Sequence, residues 1–112
     1  MARTGAGNHR PDSNQAEIIA GLRREFGRWA VQSLSMVGDG CPDILVGGQG
    51  CNALFEIKDG SRPPSEQALT DKEALWHRRW PGKVDIVRDL DEAAMYCRHY
   101  FGRERAMREL GR

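Results

Sequence analysis

The chain has 112 residues, room for one domain with a single modest core. Its 17 Lys and Arg against 16 Asp and Glu leave a net charge of +1, so the whole-molecule field carries no polybasic signature and any polyanion site must come from local clustering. No apolar run approaches membrane-spanning length, and the opening Met-Ala-Arg-Thr-Gly-Ala-Gly lacks the apolar region of a signal peptide, which points to a cytoplasmic protein without membrane association. The three cysteines, Cys41, Cys51 and Cys97, match no zinc spacing and read as reduced thiols, with a Cys41–Cys51 link as the alternative.

Residues 1–13 are small and polar and read as a loose tail. Asp12 or Ser13 is placed to cap a helix that runs to about Phe26 and stops at Gly27, with Ile18, Ile19, Leu22 and Phe26 on one face. Glu17 lies at the edge of that stripe, about 100° from Ile18, where it would lean over a sheet or stay solvated. Residues 29–36 read as a first strand, and Gly38-Asp39-Gly40 as a turn.

Next comes the stretch around which the chain is organised. Residues 44–46 form a short apolar run, Gly47-Gly48-Gln49-Gly50 is turn chemistry, and residues 53–58 form a second run. Side chains alternate along a strand, so Phe55 and Ile57 would face the core while Leu54, Glu56 and Lys58 share the other face. Glu56 and Lys58 would then lie about 7 Å apart, two strand steps from each other. A tight hairpin register brings Asp43, which opens the neighbouring strand after Pro42, beside Glu56. Two carboxylates and an amine on one sheet edge suit a hard divalent cation and a water oriented by an ammonium.

Beyond Asp59-Gly60, Ser-Arg-Pro-Pro-Ser-Glu-Gln is a stiff polar loop that fits neither strand nor helix. Thr70-x-x-Glu73 is a capping box for a helix reaching Trp80, and Pro81-Gly82 stops it. Trp76 and Trp80 share a face of that helix and read as core, with base-stacking platforms as the alternative. Residues 83–88 alternate as a strand with Val84 and Ile86 inward, and Asp89 or Asp91 caps a helix through about Tyr100. The charged segment 102–112 extends this helix or frays. The expected fold is α/β, in the order αβββαβα: a small mixed sheet flanked by helices.

Pro42-Asp43 followed by Glu56-x-Lys58 on the next strand resembles the core of the PD-(D/E)XK nucleases. The finer pattern is similar to the small virus-type replication-repair nuclease (VRR-NUC) group: Gly40-Cys41-Pro42-Asp43-Ile44-Leu45-Val46, Phe55-Glu56-Ile57-Lys58-Asp59-Gly60, and the helix with Leu69-Thr70 and Trp76-His77, all after a helix bearing Glu17. The similarity spans about 14–94. It implies a restriction-endonuclease-like core over 14–101 and a DNA endonuclease dependent on Mg²⁺, with Mn²⁺ as substitute. Asp43, Glu56 and the Ile57 carbonyl would hold the ion, Lys58 would orient the attacking water, and Glu17 would be an additional acidic ligand. It further implies a compact phage or mobile-element protein, a homodimer acting on branched DNA such as a Holliday junction. The group carries Gln where this chain has Glu73, and the capping box gives Glu73 a structural reason of its own.

Each residue also has a plainer reading. Asp43 after Gly-x-Pro is a common turn residue, and Glu56 with Lys58 would be a solvated strand face. Lys72, His77, Arg78, Arg79 and Lys83 are the best candidates for nucleic-acid backbone contacts, although charge of this density is often only surface, and His77 beside two tryptophans would also serve as packing. The alternative to an enzyme is a nucleic-acid- or partner-binding protein that keeps the fold without the chemistry.

Overall fold

Residues 14–111 are described in the computed structural model, and the reading of residues 1–13 as a tail lies outside them. Helix α1 (Gln15–Phe26) buries Ile18 and Leu22 completely, the helical stripe expected of its sequence. Its N-cap is Asn14, whose side chain makes no cap bond; Asp12 and Ser13 lie outside the described residues. Instead Asn14 Nδ2 donates to the carbonyls of Lys58 (3.3 Å) and Arg88 (2.8 Å), fastening the start of α1 to two strand ends.

Strand β1 (Val31–Ser33) is shorter than the 29–36 expected, and at its flanks Trp29 (86% exposed) and Met36 (95%) stand in solvent. β2 (Ile44–Gly48) and β3 (Cys51–Ile57) form the hairpin, pairing Ile44 with Phe55 through Gly48 with Cys51. The turn is only Gln49-Gly50, both at positive φ (53° and 75°), the two-residue hairpin whose twist matches its strands. Gly47 and Gly48, expected in the turn, belong to β2, where they pair with Asn52 and Cys51, and Phe101 fills the space where a Gly48 side chain would stand.

A loop containing one 3-10 turn (Pro64–Glu66), where neither helix nor strand was expected, leads to α2 (Asp71–Arg79). Both bonds of the Thr70–Glu73 capping box are present. β4 (Asp85–Val87) then pairs parallel to β3, giving a mixed four-stranded sheet in the order β1-β2-β3-β4. Finally α3 (Leu90–Leu110), capped by Asp89, continues helical well past Tyr100. None of the helices among the described residues is long and apolar enough to cross a membrane.

One face of the sheet packs on α1 and α3 through Val46, Phe55, Ile57, Val87, Ala93, Cys97 and Phe101. β4 is phased opposite to expectation. Val87 pairs with Ile57 and is fully buried in this core, whereas Ile86 pairs with Glu56 on the other face and is half-buried. Asp85 falls on the core side and accepts a bond from Tyr100 Oη at 2.7 Å, which pays for placing a carboxylate there.

Candidate active site

The face of the sheet away from that core carries Glu56 and is covered by α2. Three segments meet there. The first is the loop 38–43, where Gly38, Asp39 and Gly40 all have positive φ. A side chain on Gly40 would come within 2.3 Å of the Lys72 carbonyl, so only glycine lets this loop lie against the first turn of α2. The second is the end of β3, and the third is α2 itself, aligned by its capping box.

Asp43, Glu56 and Lys58 converge as expected, and all three are buried. The regular ladder ends at Ile44–Phe55; Asp43, in the bend just before β2, brings its side chain beside that of Glu56 without pairing with it along the ladder. Asp43 is fixed at both ends: its backbone N–H donates to the Phe55 carbonyl (2.9 Å) and its Oδ2 accepts from the Ile57 N–H (2.6 Å). Glu56 is 1% exposed, so it is not the solvated strand residue of the plainer reading.

Two residues of α2 complete the cluster. Glu73 Oε1 accepts from Lys58 Nζ at 2.8 Å while also accepting from the Thr70 N–H at 2.9 Å. Its capping role and its contact with the site are therefore one arrangement, and the reading of Glu73 as a cap alone was incomplete. His77, four residues on and hence on the same helix face, places Nε2 3.2 Å from Glu56 Oε1, the donor being whichever group carries the proton. His77 is thus part of the carboxylate cluster. The i, i+4 spacing of Glu73 and His77 was the sequence signal for both.

Burial first, then the Asp43 carboxylate and more weakly Glu73, push the Glu56 carboxyl up to about 10, with Lys58 acting in the opposite sense. Without a cation Glu56 is a neutral acid at pH 7. Glu73 is held below the usual carboxylate range: burial acts against this, but bonds from Lys58 and the Thr70 N–H outweigh it. Burial lowers His77, so its imidazole is neutral at pH 7. Cys41 beside the cluster is raised by burial and by the Glu56 and Asp43 charges; all three cysteines are free thiols.

The remaining candidates fall elsewhere. Glu17 is exposed and lines a cleft with Asn14, Asp59, Ser61, Arg88 and Glu92, a cleft to which neither Asp43 nor Glu56 contributes. Among the described residues, no group of three or more His, Cys, Asp or Glu side chains is arranged to hold a metal. Lys72 and Arg79 are exposed on the outer side of α2 and line one groove; Arg78 is exposed beside them. Lys83 is not with them, its Nζ lying 4.7 Å from the centre of the Tyr100 ring on α3. Trp76 and Trp80 are not core residues either. They stack on each other outside the buried cluster, because the inner face of α2 is taken by Glu73 and His77.

Comparison with protein-family models, with curated proteins and with solved structures finds no match to this chain.

Proposed function

We propose that the chain is a Mg²⁺-dependent DNA endonuclease with a restriction-endonuclease-like core, a PD-(D/E)XK nuclease similar to the VRR-NUC group, acting on branched or junction DNA. The observation that carries this reading is the buried pairing of Asp43 with Glu56 at the end of β3, next to Lys58. Two carboxylates pressed together away from water are costly unless a proton or a cation lies between them.

The donor set fits a small hard cation. Mg²⁺ is ordinarily held by one or two carboxylates, with waters and substrate phosphate completing its octahedron, so Asp43, Glu56 and the Ile57 carbonyl would suffice without a third acidic side chain. When bound, Mg²⁺ or Mn²⁺ supplies a polarised phosphate oxygen and a water of lowered pKa. The chain's own residues do the rest. Glu56 would have to give up its proton to hold the ion. The Ile57 N–H keeps Asp43 from turning away. Glu73 holds Lys58 Nζ at 2.8 Å, and from that position the ammonium would orient the attacking water and offset the charge that develops on phosphorus. The released proton goes to solvent, and His77, kept neutral by burial, stays as a hydrogen-bond partner that orients the Glu56 carboxylate.

Cleavage of labelled duplex, flap and four-way-junction DNA, in Mg²⁺, Mn²⁺ or EDTA, tests the proposal. Metal-dependent cutting is expected, reduced at least about 100-fold in Lys58→Ala, in line with removal of a group that stabilises transition-state charge. Full activity in Lys58→Ala or Asp43→Ala would overturn the site.

One observation favours a second reading. The Lys58–Glu73 and Glu56–His77 contacts satisfy one another, as in a protein that keeps this fold to bind nucleic acid without cutting it. Salt-sensitive DNA binding with no cutting in any metal would establish that reading.

A further inference from the structure

A groove on the outer side of α2 is lined by Asp39, Lys72, Leu75, Trp76, Arg79 and Trp80. Its centre is the Trp76–Trp80 pair, with ring centroids 4.7 Å apart and planes inclined by 22°. Trp80 is 44% exposed and Leu75 37%, so a large apolar surface stands open on a helix whose other side chains here are charged. Trp80 is also held in place. Its backbone N–H closes α2 on the Trp76 carbonyl (3.0 Å), and Gly82 packs against its ring, where a side chain would come within 2.8 Å of the indole nitrogen.

Partly exposed aromatic rings between a lysine and an arginine have two matching partners in one molecule: the π-face of a base and the phosphate that follows it. In duplex DNA the base faces are occupied by stacking, so such a platform selects unpaired strand. Basic side chains outnumber the single acidic one in the groove, Lys72 and Arg79 against Asp39, which favours a polyanion over an acidic or neutral peptide. The groove also adjoins the carboxylate cluster. The Trp76 ring meets the His77 ring edge-on at 6.2 Å, and His77 reaches Glu56.

We propose that the Trp76–Trp80 pair is a stacking platform for an unpaired DNA base, with Lys72 and Arg79 on the flanking phosphates. The proposal rests on the nuclease reading only for its biological sense, giving that site single-stranded segments at a branch as its substrate class. Binding itself needs neither a metal nor catalysis.

Accordingly, the test is done in EDTA with the full chain. Trp29, exposed elsewhere, is first replaced by Phe so that fluorescence reports Trp76 and Trp80 alone. A ten-nucleotide oligothymidylate, an abasic oligomer of equal length and a blunt duplex are titrated. Quenching by oligothymidylate is expected, with binding about 5- to 100-fold weaker in Trp80→Ala, as for loss of one base–aromatic stack, and largely restored in Trp80→Phe. Lys72→Ala should weaken the oligothymidylate and the abasic oligomer alike and lower the salt dependence. Equal affinity for oligothymidylate and the abasic oligomer, or for single strand and duplex, would overturn the proposal. So would unchanged affinity in Trp80→Ala. Cleavage plays no part in the readout, so an inactive enzyme that still quenches would overturn the nuclease reading and leave the platform standing.

Discussion

Glu56 is the residue whose environment departs furthest from its ordinary chemistry. Its carboxyl is raised from 4.5 to about 10, chiefly by burial and then by Asp43. Folding therefore favours the protonated form. The stability this contributes is fully present below the ordinary carboxylate range and is lost as pH rises from there toward about 10, at up to about 1.4 kcal/mol per pH unit. In EDTA, calorimetric Tm should fall between pH 7 and pH 9, above the range in which the lowered His77 acts in the opposite sense, and Glu56→Gln, which cannot ionise, should flatten the fall and exceed the wild-type Tm at pH 8. Mg²⁺ should raise the wild-type Tm more at pH 8 than at pH 5, since it competes with the proton for the same oxygens. A Tm that ignores both substitution and Mg²⁺ would remove Glu56 as a cation ligand.

At the scale of elements, α2 is the part that makes a cluster out of a strand. Its first turn is fixed by Thr70, whose hydroxyl accepts from the Glu73 N–H, while Glu73 in return accepts from the Thr70 N–H and from Lys58. Thr70→Ala should cost about 1 kcal/mol in urea denaturation, and Thr70→Ser should recover most of it. If Glu73 positions Lys58, Thr70→Ala lowers cleavage as well, whereas an exposed-surface substitution such as Arg78→Ala leaves stability within about 0.5 kcal/mol. Gly40→Ala attacks the same docking from the loop side. It forces a side chain onto a residue at φ 82° and against the Lys72 carbonyl, and should lower stability by more than about 1 kcal/mol.

For the whole molecule, the residues that form the core end at Phe101 on α3, and from 102 to 111 every side chain is exposed. Deleting residues 104–112 should therefore leave the urea midpoint of the domain nearly unchanged. A large drop would mean that this extension is buried in an assembly. A 12.6-kDa chain has little surface with which to hold a branched duplex, and the proposed function is best served by a homodimer presenting two sites to two strands. Light scattering at working concentration is expected to give twice the chain mass, and a monomeric mass would overturn the two-strand arrangement.

The sequence by itself determined the order of elements and the candidate triad. Helical stripes, a glycine turn within Gly47-Gly48-Gln49-Gly50 and the Thr70–Glu73 box are local signals, each set by residues within one turn or one hairpin. Asp43 and Glu56 are expected side by side because a tight hairpin brings the start of one strand next to the end of the other. What lay beyond reach depends on which face each element turns toward the others. The three-residue β4 is too short for its own alternation to declare a phase, so its parallel pairing with β3 decided that Val87 and not Ile86 enters the core. Trp76 and Trp80 are apolar at helical spacing, the usual mark of a buried face, but α2 turns Glu73 and His77 to the sheet because buried Lys58 and Glu56 need polar partners there. The charge state of Glu56 and the open tryptophan groove both follow from that rotation of α2, which only the tertiary packing could decide.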